Sequence, residues 1–184
     1  RTRADRFKGQ AEYQTIGEIV RAVTIPVIAN GDIDSAGKAR AVLALTGAAG
    51  VMVGRAAQGQ LWLPGAIASA LSAGDEGAGA PSLSEQLRLQ SEHLLRLHDF
   101  HGDHLGPRIA RKHQAWLLES LTAQRALSAE DARAWRQAFN RIESTKAQIV
   151  CLREMTDALM SAVSATTPTS QMSLPMCPQM LVAA

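Results

Sequence analysis

Over the first seventy or so residues the apolar positions fall in short continuous runs rather than long periodic stripes. Ile25-Pro26-Val27-Ile28-Ala29 is one run, closed by Asn30-Gly31-Asp32, and Gly50-Val51-Met52-Val53 is another, closed by Gly54-Arg55. Bounded by turn residues in this way, both predict strands. Between them Asp34 or Ser35 can cap a helix over Ala36 to Leu45, which Thr46-Gly47 stops. About 25 residues from one run to the next suit a right-handed crossover joining parallel strands. Strands that are apolar throughout predict a sheet buried on both faces and covered by helices. One covering helix is expected at roughly Tyr13 to Ala22. A closed eight-stranded α/β barrel takes about 250 residues, so this stretch has room for two such units and part of a third.

Ser72 to Ser82 is rich in Gly, Ala and Ser and reads as a linker. Beyond it the spacing becomes helical. Ser84 can cap a helix carrying Leu87, Leu94, Leu95 and Leu97, and a second helix from about Arg108 carries Ile109, His113, Trp116, Leu117 and Leu121. Ser128-Ala129-Glu130-Asp131 resembles a capping box and opens a third helix with Trp135, Phe139, Ile142 and Ile149 on one stripe. From Leu159 to Ala184 no side chain is charged, and four of the six methionines fall there. That composition predicts a disordered tail, with a sticky partner-binding peptide as the alternative. The expected organisation is therefore 1–72 strand and helix, 73–83 linker, 84–158 helical module and 159–184 tail.

Composition narrows the class. The 184 residues are 46% hydrophobic but 4% aromatic, and 32 of them are alanine, which favours helix and argues against an all-β sandwich. Nineteen basic against 17 acidic side chains give a formal charge of +2, far from that of a histone-like binder. The charge is uneven: residues 1–72 hold 8 basic and 5 acidic groups, net +3, and residues 73–158 hold 11 and 12, net −1. Two cysteines, Cys151 and Cys177, are too few for a disulfide framework or a four-ligand zinc site. No run reaches the roughly 18 apolar residues of a spanning helix. A monomer in a reducing cytoplasm, away from membranes, is the expectation. The opening Arg1-Thr2-Arg3, without an initiator Met or the core of a signal peptide, suggests a cut end.

Candidate chemistry gathers where the two strands end. In α/β folds ligands bind at the carboxyl edge of the strands, where glycines let backbone N–H groups approach phosphate oxygens and an arginine adds a charge-assisted fork. Asn30-Gly31-Asp32 and Gly54-Arg55 suit a phosphate site on that edge. They suit equally a pair of ordinary turn glycines beside a solvated arginine. His98, His101 and His104 invite a metal reading, but without convergent geometry they describe a solvated helix end, and no metal is expected. Arg108, Arg111 and Lys112 lie on adjacent helix faces and could meet an RNA backbone or simply face water.

Several motifs in order carry a resemblance. Arg1-Thr2-Arg3, Gly9-Gln10-Ala11-Glu12-Tyr13, Ile25 to Ile33, and Val53-Gly54-Arg55-Ala56-Ala57-Gln58-Gly59 resemble the tRNA-dihydrouridine synthases of bacterial type, DusB-like in branch. The likeness continues through Leu97-His98-Asp99-Phe100 and Arg108 to His113, to about residue 145. It implies the C-terminal portion of a (β/α)8 TIM barrel followed by an all-α helical bundle domain. It implies FMN, reduced by NADPH, saturating the C5–C6 bond of uridines in tRNA. On this pattern Asn30, Gly31, Asp32, Gly54 and Arg55 match FMN-binding positions near the phosphate, and Arg3, Arg108, Arg111 and Lys112 are expected to touch tRNA.

The departures from the family pattern are as informative. The family's flavin-site histidine precedes Arg-Thr-Arg, and its catalytic cysteine lies in an upstream Asn-Cys-Gly-type motif. Neither Cys151 nor Cys177 has that context, and neither Lys8 nor Lys38 matches the family's flavin-contacting lysine. The chain is therefore expected to hold flavin and RNA without performing the chemistry, and to be inactive alone. Two alternatives stand beside this: a non-catalytic RNA-binding or interaction module, and another phosphate-binding FMN barrel.

Overall fold

The first helix, α1 (Gln14–Ala22), has no side-chain cap on its leading residue Tyr13, but Glu12 Oε1 accepts from the Thr15 N–H at 2.9 Å. β1 (Ile28–Asn30) follows, then α2 (Ala36–Thr46), which Ser35 caps by accepting from the Lys38 N–H. Gly47 closes α2 through its N–H to the Leu43 carbonyl. β2 (Gly50–Met52) pairs with β1 in parallel, with Ile28 opposite Gly50, Ala29 opposite Val51 and Asn30 opposite Met52. A single 3-10 turn at Arg55–Ala57 leads to α3 (Leu63–Ala73), where Pro64 sits in the first turn, which needs no N–H from it. The computed structural model describes residue 9, residues 11–74 and residues 79–165. Arg3, Lys8, Cys177 and the expected tail beyond Ala165 lie outside these.

Two compact units emerge, Arg1–Pro81 and Ser82–Ala184. In the first, Ala29, Ile33, Ala39, Val42 and Ile67 form the core, with Tyr13, Ile16, Val51, Val53 and Leu71 packed around it. The sheet does not meet the expectation of burial on both faces. β1 alternates, with Ala29 buried between the exposed Ile28 and Asn30, and Ile28 and Met52 are 56% and 50% exposed. Side chains of a strand point alternately to opposite faces, so α1–α3 cover the Ala29 face and, among the described residues, nothing covers the other. The result is an α/β unit with a two-stranded parallel sheet.

The second unit is all helix. α4 (Leu83–Ala123) is broken at Gly102, whose φ of 68° and ψ of −179° only glycine adopts without strain. The chain turns back there. Gln86 pairs with Gln124, Gln90 with Gln114 and His93 with His113, so the arms 83–101 and 103–123 run antiparallel. Pro107 is tolerated because it lies near the start of the second arm. Ser128 caps α5 (Ala129–Arg141), accepting from the Asp131 N–H at 3.0 Å and donating to the Asp131 carboxylate at 2.6 Å.

The single helix expected to carry both Phe139 and Ile149 is two helices. α5 ends at Arg141, and Ile142 takes an extended conformation before α6 (Thr145–Ala165) begins. Ser144 accepts from the N–H groups of Ala147 and Gln148, restarting the ladder in a new direction. α6 also runs past Leu159, which is buried, into the stretch expected to be tail. Its inner face joins Leu87, Leu94, Leu117, Leu121, Trp135 and Phe139 in a core with Ile149, Leu152 and Met155. Each fully buried large apolar side chain contributes about 1.5–3 kcal/mol.

Candidate functional site

Parallel pairing of β1 and β2 puts the turns that follow them side by side at one edge of the sheet. Gly31 has φ of +145°, and a Cβ there would sit 2.6 Å from the Ala11 Cβ. No other residue fits. Tyr13 fixes the turn from outside, its hydroxyl donating to the Gly31 carbonyl at 2.6 Å, while the Lys38 ammonium lies 5.0 Å from the centre of the Tyr13 ring. Asp32 is also held at positive φ, 48°, which short polar side chains tolerate better than most.

The second turn brings the charge. Gly54 precedes the 3-10 turn, and Arg55 Nη2 donates to Asp32 Oδ1 at 3.0 Å. The Arg55 side chain is 58% exposed, so its guanidinium is oriented by Asp32 yet still open to solvent. The structure thus brings Asn30, Gly31, Asp32, Gly54 and Arg55 to one edge. An anion is matched by the guanidinium fork and by glycine backbone that no side chain shields, since a Cβ at Gly54 would meet nothing within 4 Å. Asp32 suits a different role: a carboxylate repels phosphate but accepts from hydroxyls and holds Arg55 in place.

On the helical unit the three expected RNA contacts part company. Arg108 and Lys112 are exposed, and Lys112 Nζ lies 5.6 Å from the centre of the Trp116 ring. Arg111 turns inward. Its Nη2 donates to the Ile142 carbonyl at 3.4 Å, and its Nε is buried without a partner. This guanidinium braces the junction between α5 and α6, so only two of the three present their charge outward.

Of the three histidines at the expected solvated helix end, only His98 departs from it. His98 is buried, its Nε2 2.9 Å from Gln148 Oε1, and Gln148 Nε2 donates to the Pro107 and Ile142 carbonyls. Because the Gln148 amide N–H groups are spent on carbonyls, its oxygen is the acceptor and His98 Nε2 carries the proton. Burial is the main influence on His98 and lowers its pKa, against the Gln148 hydrogen bond and the Asp103 charge, which raise it. His104 lies in the second arm of α4, beyond the break and exposed. Among the described residues no three His, Cys, Asp or Glu side chains are placed to hold a metal ion. Nor is any helix of these residues long and apolar enough to cross a membrane.

Two features leave little trace in the sequence. Tyr13 gave no sign that its hydroxyl would reach a carbonyl 18 residues away. His93 and His113 share a 2.9 Å hydrogen bond whose sequence signal is no more than a comparable distance from Gly102 along antiparallel arms.

Comparison with known proteins adds the wider context. The family described as Dihydrouridine synthase (Dus) matches residues 1–164. A tRNA-dihydrouridine synthase B from Pseudomonas syringae pv. tomato is 50% identical over 154 residues, 84% of this chain and 43% of that protein. One from Pseudomonas putida is 48% identical over 83% of this chain and 43% of its own length. One from Vibrio cholerae is 45% identical over 88% of this chain and 47% of its own length. The chain thus spans less than half the length of these curated relatives.

Proposed function

This chain belongs to the dihydrouridine synthase (Dus) family, and from that premise we propose that the protein carrying it reduces uridine to 5,6-dihydrouridine in tRNA, using FMN that NADPH reduces. The single observation that carries the reading is the Asp32–Arg55 pair, which joins two glycine-bearing turns at the carboxyl edge of adjacent parallel strands. Arg55 would hold the FMN phosphate, with Gly54 and Gly31 offering backbone close by and Asp32 fixing the guanidinium. Asn30 ends β1 at the same edge and offers a polar group there. FMN, when bound, supplies the hydride that saturates the base.

On this reading β1 and β2 are neighbours in a (β/α)8 barrel, and the strands completing it would cover Ile28 and Met52. The uridine must leave its stack to be reduced, at a cost of about a few kcal/mol. Arg108 and Lys112, with Arg3, would hold the RNA backbone during that step. Cys151 is 1% exposed in the helical core, so it cannot deliver a proton to a substrate base. That chemistry falls to residues this chain does not contain. A cytoplasmic monomer remains the expectation for such an enzyme.

The test is complementation of cells that lack their own dihydrouridine synthase, with tRNA nucleosides measured by mass spectrometry. The gene carrying this chain should restore dihydrouridine and yield a yellow protein. Unmodified tRNA would end the catalytic reading, and an Arg55→Ala protein retaining full flavin absorbance would end the role of Arg55.

One observation favours a second reading. The helical unit has its own core, independent of the strands, as a non-catalytic RNA-binding module requires. Salt-dependent binding of tRNA by a protein that does not restore dihydrouridine would select it.

A further inference from the structure

We propose that His93 and His113 form an acid-sensitive latch between the two arms of α4, closed while a single proton bridges the rings and opened when both rings are fully protonated. The inference rests on the helical unit alone and does not depend on the flavin or RNA readings. His93 Nε2 lies 2.9 Å from His113 Nδ1, with ring centroids 4.7 Å apart, and the rings of His113 and Trp116 meet in a T-shaped arrangement with centroids 5.0 Å apart. Both imidazoles are partly buried.

The proton count decides what the latch tolerates. Two neutral rings carry one N–H each, so one ring donates across the 2.9 Å gap and the other accepts. A first added proton goes to an outer nitrogen and leaves the bridge intact, with a charged donor in place of a neutral one. A second must go on the accepting nitrogen. Two N–H groups then face each other and the bond becomes a repulsion between like charges.

The surroundings oppose that second charge. Burial lowers the pKa of both rings, and His113 is lowered further by His93, Lys112 and His101. No carboxylate of the described residues on α4, α5 or α6 is among the groups acting on either ring. A folded-state pKa below the unfolded value of about 6.5 means that the unfolded chain takes up protons first. The stability this pair contributes is therefore present in full above that pH and is lost as the pH falls below it. His98, also lowered, adds an acid-sensitive contribution of its own and serves as the internal reference.

The test uses the full chain, with thermal unfolding followed by circular dichroism between about pH 7.5 and about pH 5. Wild type should lose more Tm on acidification than His113→Gln or His93→Gln, which keep a hydrogen-bonding side chain but cannot titrate. The double variant should be flatter than a single one only by what burial of the remaining ring contributes, because either single variant already removes the like-charge conflict. Parallel Tm profiles for all four proteins would overturn the latch. Ring-nitrogen NMR of the wild-type chain is the second measurement and needs no variant to fold. It should show nitrogen–nitrogen coupling between the two rings at neutral pH that disappears on acidification. Absence of coupling, with two independent titrations at the ordinary histidine value, would overturn the proposal equally.

Discussion

Arg55 Nη2 lies 3.0 Å from Asp32 Oδ1, tying the turn after β2 to the turn after β1 across 23 residues of sequence. Both partners are at least a third exposed, and exposed pairs contribute only about 0.2–1 kcal/mol. Arg55→Ala is thus expected to lower flavin retention sharply while shifting stability by about 1 kcal/mol or less. Urea denaturation and flavin absorbance of the same preparation check this. A large stability loss would mean that the arginine holds the fold rather than a ligand.

Gly31→Ala meets two obstacles at once, a φ of +145° and a 2.6 Å approach to the Ala11 Cβ. We expect a loss of about 1–3 kcal/mol. Adding Ala11→Gly should restore only part of it, since it relieves the contact but not the backbone strain. Full rescue in equilibrium denaturation would show that φ at Gly31 is free to relax.

Gln148 answers two buried groups, the His98 N–H and the Pro107 carbonyl, and shares the Ile142 carbonyl with Arg111. Gln148→Leu fills the space but strands the His98 N–H and the Pro107 carbonyl. The expected cost is about 2–5 kcal/mol, from two buried polar groups each worth about 1–3. Urea denaturation measures it, and a loss under about 0.5 kcal/mol would show that water enters to replace the amide.

Arg108 and Lys112 should separate from Arg111 in behaviour. Alanine at either exposed position is expected to weaken tRNA binding about equally across sequences and to lower the salt dependence of the affinity by about one charge. Arg111→Ala should instead lower the stability of the helical unit, because its guanidinium holds the Ile142 carbonyl. Gel shifts at several salt concentrations, paired with thermal melts, distinguish the two. An Arg111 variant that melts like wild type yet loses RNA would reverse the assignment.

Much of the local structure was legible. The Ser35 and Ser128 caps, the Gly47 stop and the two β runs were each written in the few residues that make them, and the helix between the strands was placed to within a residue at its end. The break between α5 and α6 was missed because Ile142 and Ile149 continue a helical apolar stripe. Periodicity records which positions want burial, but not whether one helix or two deliver them. The burial of His98 is hidden in the sequence for a similar reason: a histidine beside two aspartates looks solvated until the partner, Gln148, arrives from 50 residues away.

For the candidate site, the sequence by itself determined that glycine-bearing turns would close both strands and that an arginine would follow the second. Backbone preferences and turn chemistry act over a few residues, so those facts survive any arrangement of the rest. Only the tertiary structure decided that Asp32 would hold Arg55, that Tyr13 would brace Gly31, and that Arg111 would turn away from solvent. Each of these depends on the distance between groups remote in sequence, which parallel pairing and the reversal at Gly102 set. The open Ile28 and Met52 face belongs to the same class: alternation dictates that one side chain in two points away from α1–α3, and only the surrounding elements determine whether anything meets it.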